Sequence, residues 1–209
     1  EDCPVRLKME KWVEVVGLDF VVNCVLTPQD GVAAVVAGHY RDAQRRGVTF
    51  ARQVYGQRIC EKVDILLSAA FPHDLDFWQA AKGIYGPEAL LRDGGTLLLV
   101  SPCSEGPGNH AEFLPLIGRE DNRERLLDIL EGRAAAPDDP LPLAPAAMMA
   151  KMRRRFRCAV VSPGVGREHL QAAGYEKMDD VQSAMDTLLS RYPQGRVAAV
   201  LRSDLTFYP

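Results

Sequence analysis

The sequence predicts an α/β fold: a three-layer, Rossmann-like domain with a mostly parallel sheet between helices, plus an N-terminal hairpin. Short, nearly continuous apolar runs are the first observation, because strands buried on both faces of a parallel sheet have this composition. Helix-like segments separate these runs, and such alternation is typical of parallel α/β sheets. Two β-branched runs around a turn, near the amino terminus, predict the hairpin. The main strand runs are VDILLSA (63–69), TLLLVSP (96–102), CAVVS (158–162) and RVAAVLR (196–202).

The amino-terminal quarter contains the hairpin and two predicted helices. A helix over residues 4–16 begins with Pro4, which suits a first turn because its missing N–H would be unpaired there anyway. LDFVVNCVLT (18–27) and VAAVVAG (32–38) form the two hairpin strands around the turn PQDG. Residues 39–55 are polar with recurring apolar positions, which predicts an exposed helix.

Further helices connect the strand runs. The helix after the first run is expected over about residues 75–92 and to stop at DGG (93–95), since glycine favours a helix C-terminus. A glycine-rich loop, CSEGPGNH (103–110), follows the second run, and the four prolines of residues 132–145 predict an irregular connection. The pattern is completed by helices over about 110–131 and 145–156, a helix within 163–174, a short strand at 175–178 and a helix over 179–192.

Composition limits the possible functions. The 209 residues are 47% hydrophobic, enough for a sizeable core, and we expect a single α/β domain over residues 1–209. A net charge of −3 and a single basic run, KMRRRFR (151–157), argue against nucleic-acid binding, since the run suits a solvated helix end. No apolar run approaches the roughly 20 residues that span a bilayer, so we expect no membrane partner.

The five cysteines are scattered, and none forms a CxxC pair. This pattern is typical of a reducing cytoplasm and predicts neither a disulfide framework nor a zinc site. Cys24 and Cys158 lie in apolar runs and are expected to be core residues. Because the chain begins at Glu1 rather than Met, we expect it to be a piece of a longer protein.

The loop after the first strand run is a candidate site, because ligands of open parallel sheets bind at the carboxyl ends of strands. Gln79 and Lys82 share a helix face there and, with free backbone N–H groups, would receive a small carboxylate. In the alternative interpretation Asp76 is the N-cap, Gln79 completes a capping box and Lys82 is an ordinary solvated lysine. If Asp74 is the cap instead, Gln79 is free to point into the crevice.

Other motifs are less specific. The glycine-rich loop lacks the lysine and Ser/Thr of a P-loop, and SPGVG (162–166) is not GxGxxG, so a nicotinamide-binding Rossmann domain is disfavoured. His73 and His110 lie in the two crevice loops, but the histidines have no metal-ligand spacing. The nucleophile motif GxSxG is absent from the sequence.

Residues 64–108 resemble the C-terminal domain of the nickel-dependent lactate racemase family. The shared features are a strand, a Pro-x-Asp turn, an aromatic residue, Gln-x-x-Lys-Gly, a Gly-Gly strand start and a glycine-rich loop. Residues 17–48 and 197–209 also resemble the family, so the resemblance covers almost the whole chain. In this chain the shared positions are Pro72, Asp74, Trp78, Gln79, Lys82, Gly83, Gly94, Gly95, Glu105, Gly106 and Gly108.

The resemblance implies that Gln79 and Lys82 contact a 2-hydroxy acid, and that Pro72, Asp74 and Trp78 shape the turn that presents them. It places the nickel-pincer nucleotide and the catalytic histidines in a larger N-terminal domain that this chain lacks. We therefore expect no catalytic residue, metal ligand or bound cofactor in the chain itself. Its expected partners are that domain of the same parent protein and the substrate, which the parent would racemise or epimerise by hydride transfer.

The helix late in this domain departs from the family pattern. Lactate racemases carry a tryptophan there, whereas residues 143–157 contain none and have Met148 and Met149. The difference favours a 2-hydroxy acid other than lactate. The alternative to a racemase domain is a stand-alone module that binds a small anion without catalysis.

Overall fold

Two units make up the fold, and a computed structural model describes residues 3–29 and 31–208. The first unit is Glu1–Gln57 and the second is Arg58–Pro209. The expectation of a single domain over residues 1–209 did not include this boundary, and folding of the chain on its own stays a prediction. Within the described residues, no helix is both long and apolar enough to cross a membrane.

The first unit contains the predicted hairpin and both predicted helices. Its strands are antiparallel, and the second helix packs on the hairpin. The proline at the start of the first helix occupies the first helical turn, as predicted. The elements are α1 (Pro4–Val16), β1 (Val21–Leu26), β2 (Val32–Gly38) and α2 (Tyr40–Tyr55), and β3 (Gly56–Arg58) follows at the boundary.

The hairpin shows why one cysteine expectation was wrong. Val25 of β1 and Val36 of β2 are buried, whereas Cys24 is exposed. Successive side chains of a strand point to opposite faces, so the position next to a buried valine faces away from the covered side. An apolar run alone cannot tell these two faces apart. Cys158, in a strand that is covered on both sides, is buried as expected.

The second unit is built on a five-stranded sheet. Its strand order is β7-β6-β5-β4-β8, and all neighbouring strands are parallel. The first two apolar runs form β4 and β5, which lie side by side among the inner strands of this sheet. The elements are β4 (Val63–Ala69), α3 (Phe77–Ala80), α4 (Lys82–Tyr85), a 3₁₀ turn (Pro87–Leu90), β5 (Leu91–Val100), α5 (Phe113–Gly118), α6 (Asn122–Leu130), α7 (Leu143–Arg153), β6 (Arg157–Val161), α8 (Arg167–Ala172), β7 (Glu176–Met178), α9 (Val181–Arg191), β8 (Val197–Val200) and β9 (Thr206–Tyr208).

Both faces of this sheet are covered, which explains the continuous apolar runs. Leu66 and its neighbours on one face pack with side chains of α3, α4, α5, α7 and α8. Ile65 and Leu98, on the other face, pack with Ala184 and Leu188 of α9. Side chains that alternate along β4 and β5 thus serve two separate cores. The predicted three-layer α/β arrangement is confirmed.

The segment predicted as one helix over about residues 75–92 is broken into short turns. α3 and α4 are each four residues long, and a 3₁₀ turn begins at Pro87. Proline has no N–H with which to continue the α-helical hydrogen bonds, so the α-helix cannot run through this position.

The glycines of DGG (93–95) lie inside β5, and the prediction that they end a helix is wrong. Gly94 has a φ of +83°, a value that favours glycine. A Cβ on Gly95 would lie 2.7 Å from the carbonyl oxygen of Asp64 on the neighbouring strand. The pairing of β4 with β5 is irregular at this point. The two glycines therefore permit a bulge with close backbone approach.

Leu66→Ala and Leu98→Ala should each lower the free energy of unfolding by about 2–5 kcal/mol, because both side chains are fully buried and truncation leaves cavities. Urea denaturation of the two variants measures the effect. Leu130→Ala, at an exposed leucine, serves as the control and should change stability by less than about 0.5 kcal/mol. Losses below about 1 kcal/mol at both core positions would contradict the assignment of these side chains to the two cores.

Candidate substrate-binding site

The loops after β4 and β5 are held together by backbone hydrogen bonds. The strands are adjacent and parallel, so both loops begin at the same edge of the sheet. The Cys103 N–H donates to the carbonyl of Asp74 at 3.0 Å. The Phe77 N–H donates to the carbonyl of Gly106 at 2.9 Å. The turn that leads into α3 is therefore positioned by the glycine-rich loop beside it.

The glycines of the second loop permit this close packing. Gly108 has a φ of +95°, and a Cβ there would lie 2.9 Å from the Cβ of Trp78. A Cβ on Gly164, in the loop after β6, would collide with the carbonyl of Cys103. These glycines bring three loops together at the sheet edge, and the Gly106 carbonyl is aimed at the start of α3.

The start of α3 is capped by Asp76, as one of the two sequence interpretations required. Its Oδ1 accepts a hydrogen bond from the Gln79 N–H at 2.8 Å. Asp74 is not the cap; its carbonyl instead accepts the bond from the β5 loop. The amides of Phe77 and Gln79 are thus satisfied by the protein, so the expectation of free N–H groups at this helix start was wrong for these two.

The side chain of Gln79 pairs with Lys82 rather than with the cap. Lys82 Nζ donates to Gln79 Oε1 at 2.6 Å, and both side chains are partly buried. Over residues 3–29 and 31–208, no carboxylate forms an ion pair with Lys82, so its positive charge is not neutralised. Gln79 therefore has two roles: its backbone N–H donates to the capping residue Asp76, and its side chain orients the Lys82 ammonium.

Gln79 and Lys82 line a cavity of about 340 Å³ with four largely apolar side chains. The ring of Phe113 meets Trp78 edge to face, with centroids 4.7 Å apart. Burial raises the pKa of Tyr85, so its phenol stays protonated. The cavity thus combines one cation with apolar walls, a common arrangement for a small organic anion. Its lining residues are Trp78, Gln79, Lys82, Tyr85, Phe113 and Pro145.

Of the five predicted site residues, Trp78, Gln79 and Lys82 meet at this cavity. Pro72 and Asp74 do not line it and lie in the preceding turn, where the Phe71–Pro72 peptide bond is cis. Tyr85 of α4, Phe113 of α5 and Pro145 just inside α7 also line the cavity and were not predicted. Phe113 and Pro145 reach it through the packing of distant helices, and nothing in their local sequence indicates this.

The two loop histidines are engaged elsewhere. His73 Nδ1 lies 2.9 Å from Ser203 Oγ, whose hydroxyl is 2.6 Å from the carbonyl of Ala70. Partial burial lowers the pKa of His73, and the charge of Lys82 lowers it further. His110 Nδ1 lies 2.7 Å from Asp139 Oδ2, and its ring contacts Trp78. Within the part of the chain that the structure describes, no three His, Cys, Asp or Glu side chains are grouped as a metal site would require.

Two larger depressions contain none of the residues of the β4 and β5 loops. One of about 490 Å³ lies in the first unit and is lined by Cys3 and Arg45, among others. The second, of about 920 Å³, is lined by residues of α6 and α7 and their flanking turns. Size alone would favour these two depressions, but of the three it is the smallest that is lined by Trp78, Gln79 and Lys82 of the segment that follows β4.

The fold and the cavity define a class: an α/β domain with a parallel five-stranded sheet and a small cavity whose lining contains one cation, Lys82. No family model matches the sequence. Lactate racemase of Thermoanaerobacterium thermosaccharolyticum is 25% identical over 145 residues, which are 68% of this chain and 33% of that protein. Lactate racemase of Lactiplantibacillus plantarum is 26% identical over 110 residues, 52% of this chain and 26% of that protein.

Two solved structures have the same fold. The lactate racemase apoprotein of Thermoanaerobacterium thermosaccharolyticum matches with a TM-score of 0.83 at 19% identity, covering 100% of this chain and 50% of that one. A protein from Thermotoga maritima matches with a TM-score of 0.60 at 14% identity, covering 96% and 51%. The predicted resemblance is confirmed: the chain is similar in sequence to two lactate racemases and has the fold of the matching half of one. It spans at most about half the length of the relatives it matches.

Asp76→Ala should cost about 1 kcal/mol of stability, because the Gln79 N–H loses its acceptor. Asp180→Ala is a matched control, since Asp180 caps α9 through the Ser183 N–H at 2.9 Å. Only Asp76→Ala should also shift the fluorescence of Trp78, measured in a Trp12→Phe background. An Asp76→Ala protein with unchanged stability and fluorescence would show that the cap does not hold this turn.

Proposed function

We propose that the chain is the substrate-binding domain of a lactate-racemase-like enzyme that racemises or epimerises a small 2-hydroxy acid. The observation that carries the proposal is the Lys82 ammonium, oriented by Gln79, on a small cavity at the strand ends. The names of the two curated relatives support the reaction class.

A carboxylate suits the donors that remain at this site. Lys82 has three N–H donors and uses one on Gln79 Oε1, which leaves its charge and two donors available. Because that oxygen is occupied, the amide group of Gln79 can direct its two N–H donors toward a ligand. Charge-assisted hydrogen bonds of this kind are the stronger ones. Together these donors fit the carboxylate and the neighbouring hydroxyl of a 2-hydroxy acid.

The walls of the cavity limit the size of the ligand. About 340 Å³ fits a small acid better than a dinucleotide, and Trp78 and Phe113 close one side with aromatic rings. The contribution of α7 is Pro145, whereas Met149 is buried in the core and Met148 lines the larger depression. The absence of an aromatic side chain from α7 on this wall supports a substrate other than lactate.

The nickel-pincer nucleotide belongs to the partner domain in this proposal. Among residues 3–29 and 31–208 no three possible ligand side chains are grouped for a nickel ion, and His73 and His110 contact Ser203 and Asp139. The relatives extend well beyond the matched region, which supports a second domain in the parent protein. The role of this chain is then to bind and orient the substrate carboxylate.

A stand-alone module that binds a small anion is the second candidate. It is favoured by one observation: all six residues that line the cavity belong to the second unit. Titration of residues 1–209 with lactate and glycolate, followed by NMR, tests binding in isolation. Binding by the chain alone together with no turnover by the complete native protein would favour the module over the enzyme.

Lys82→Ala in the complete native protein should lower kcat/KM by roughly 10- to 150-fold, since a charge-assisted contact is worth about 1.5–3 kcal/mol. Gln79→Ala should cost less, because the amide is neutral. Neither change should alter the melting temperature much, as the cap of α3 uses the Gln79 backbone. Steady-state kinetics and thermal denaturation of the same samples measure both effects.

Lys62→Ala is the control for this pair, because it removes the same charge from an exposed position before β4. It should keep full activity. If Lys82→Ala and Gln79→Ala are also fully active, the substrate role of this cavity is wrong. A lower melting temperature for Gln79→Ala with unchanged kinetics would indicate a purely structural glutamine.

Nickel content gives a separate test. Residues 1–209, purified without a tag from nickel-supplemented cells, should contain far less than one nickel per chain by elemental analysis. The physical reason is the lack of a grouped set of nitrogen, sulfur or carboxylate ligands within the described residues. Stoichiometric nickel would show that the chain itself forms a metal site.

A further inference from the structure

Helix α1 has its polar side inward and its apolar side outward. Glu10 is only 4% exposed and pairs with Arg6 at 3.1 Å and with Arg41 of α2 at 3.1 Å. The opposite side carries a stripe at helical spacing whose members are between 54% and 82% exposed. A helix on a protein surface normally has the reverse arrangement. The stripe is Val5, Met9, Trp12 and Val16.

The hairpin has a second uncovered apolar face. Val25 and Val36 are the buried positions of β1 and β2, whereas the positions that alternate with Val25 are exposed. Val22, Cys24 and Leu26 lie on this other face of β1, and Val35 is opposite Cys24 on β2. Antiparallel sheets that face water usually place polar side chains on that side. Here the side is apolar.

These faces are concentrated in one part of the chain. Of the 22 large apolar side chains that are exposed among the described residues, 13 lie between Val5 and Val48. The first unit contributes only four buried apolar side chains in the same residues: Val25, Val36, Tyr40 and Ala43. A unit of this size needs a larger core to fold stably. It therefore has the composition of one layer of a larger domain.

We propose that α1 and the outer face of the hairpin form the docking surface for the second domain of a lactate-racemase-like polypeptide. The first unit would then complete the core of that domain. The length of the solved lactate racemase supports this occupant, because the match takes all of this chain and leaves half of that one without a counterpart. Two uncovered faces on separate elements suit a large folded body better than a short peptide.

The inference rests on the partner domain of the proposed function, but not on the substrate role of Lys82. Whether a second domain covers the first unit and whether the second unit binds a carboxylate are measured by separate experiments. A Lys82→Ala protein should therefore retain the covered surface whatever its activity. If that variant is fully active while the surface is covered, the substrate role fails and the docking inference stands.

Methionine oxidation can measure the covering directly, since oxidation of methionine follows its exposure. Met9 belongs to the stripe and is 54% exposed, while Met148 in α7 of the second unit is 39% exposed. In residues 1–209 alone, dilute hydrogen peroxide should oxidise both at similar rates and spare the buried Met149. In the polypeptide from the complete native reading frame, oxidation of Met9 should slow at least about tenfold. Peptide mass spectrometry gives each rate, and Met148 is the internal control.

Several outcomes would overturn the inference. Equal oxidation of Met9 in the two proteins would show that no second domain covers α1. Protection of Met9 from oxidation in residues 1–209 alone would also contradict the proposal. If that protection does not depend on protein concentration, the second unit covers Met9; if it increases with protein concentration, a second copy of the chain covers it. A native reading frame that encodes nothing beyond residues 1–209 would also exclude the proposed occupant.

A variant tests the stripe itself. Trp12→Glu in the complete protein should restore rapid oxidation of Met9, because a charge would be forced into an apolar interface. Leu130→Glu, at an exposed leucine of α6, should leave the rate of Met9 unchanged. If Trp12→Glu folds and Met9 stays protected, α1 is not part of the docking surface.

Discussion

The close approach of the α3–α4 segment to the sheet is the constraint on which the site depends. A Cβ on Gly83 would lie 2.7 Å from Leu99 Cδ1, so glycine lets this segment lie close to β4 and β5 without displacing the buried Leu99 side chain. The hydroxyl of Ser68 donates to the Gly83 carbonyl at 2.7 Å and fixes the contact. With Gly83 held against the sheet, the preceding Lys82 lines the cavity. The Gln-x-x-Lys-Gly pattern thus joins a packing requirement at Gly83 to a cation, Lys82, on the cavity.

Gln79 shows that a residue can take part in a helix cap through its backbone while its side chain makes a separate contact. The sequence posed a choice between a capping position and a ligand contact. In the structure the backbone N–H of Gln79 donates to the capping side chain of Asp76, and the side chain of Gln79 is left to orient Lys82. A helix start therefore does not have to give up a binding group in order to be stable. The chemistry of a residue is decided separately for its backbone and for its side chain.

The sheet could be predicted from sequence because burial on both faces leaves a continuous apolar signal, as in Leu97, Leu98 and Leu99. Signals that depend on one residue type were less reliable. Gly94 and Gly95 resemble the end of a helix, yet they lie at an irregularity in a strand. Helix ends and strand bulges both require the backbone freedom of glycine, so the residue type alone does not distinguish them. In the cavity, Gln79 and Lys82 were predicted from local sequence and Trp78 from the family resemblance, whereas Tyr85, Phe113 and Pro145 were not predicted. Phe113 and Pro145 were missed because helix packing places them there and no local pattern records it.

The strand order has a consequence for how the protein is made. β4 pairs with β8, more than a hundred residues later in the chain. The turn that leads to Lys82 is tied to the same late segment, because the Ser203 N–H donates to the Phe71 carbonyl at 2.8 Å. During synthesis, β4 and the turn after it must wait for these contacts until β8 and the segment around Ser203 leave the ribosome. This inner strand of the second unit is thus made early and completed late, and in the interval its open edge is available to chaperones or to wrong partners.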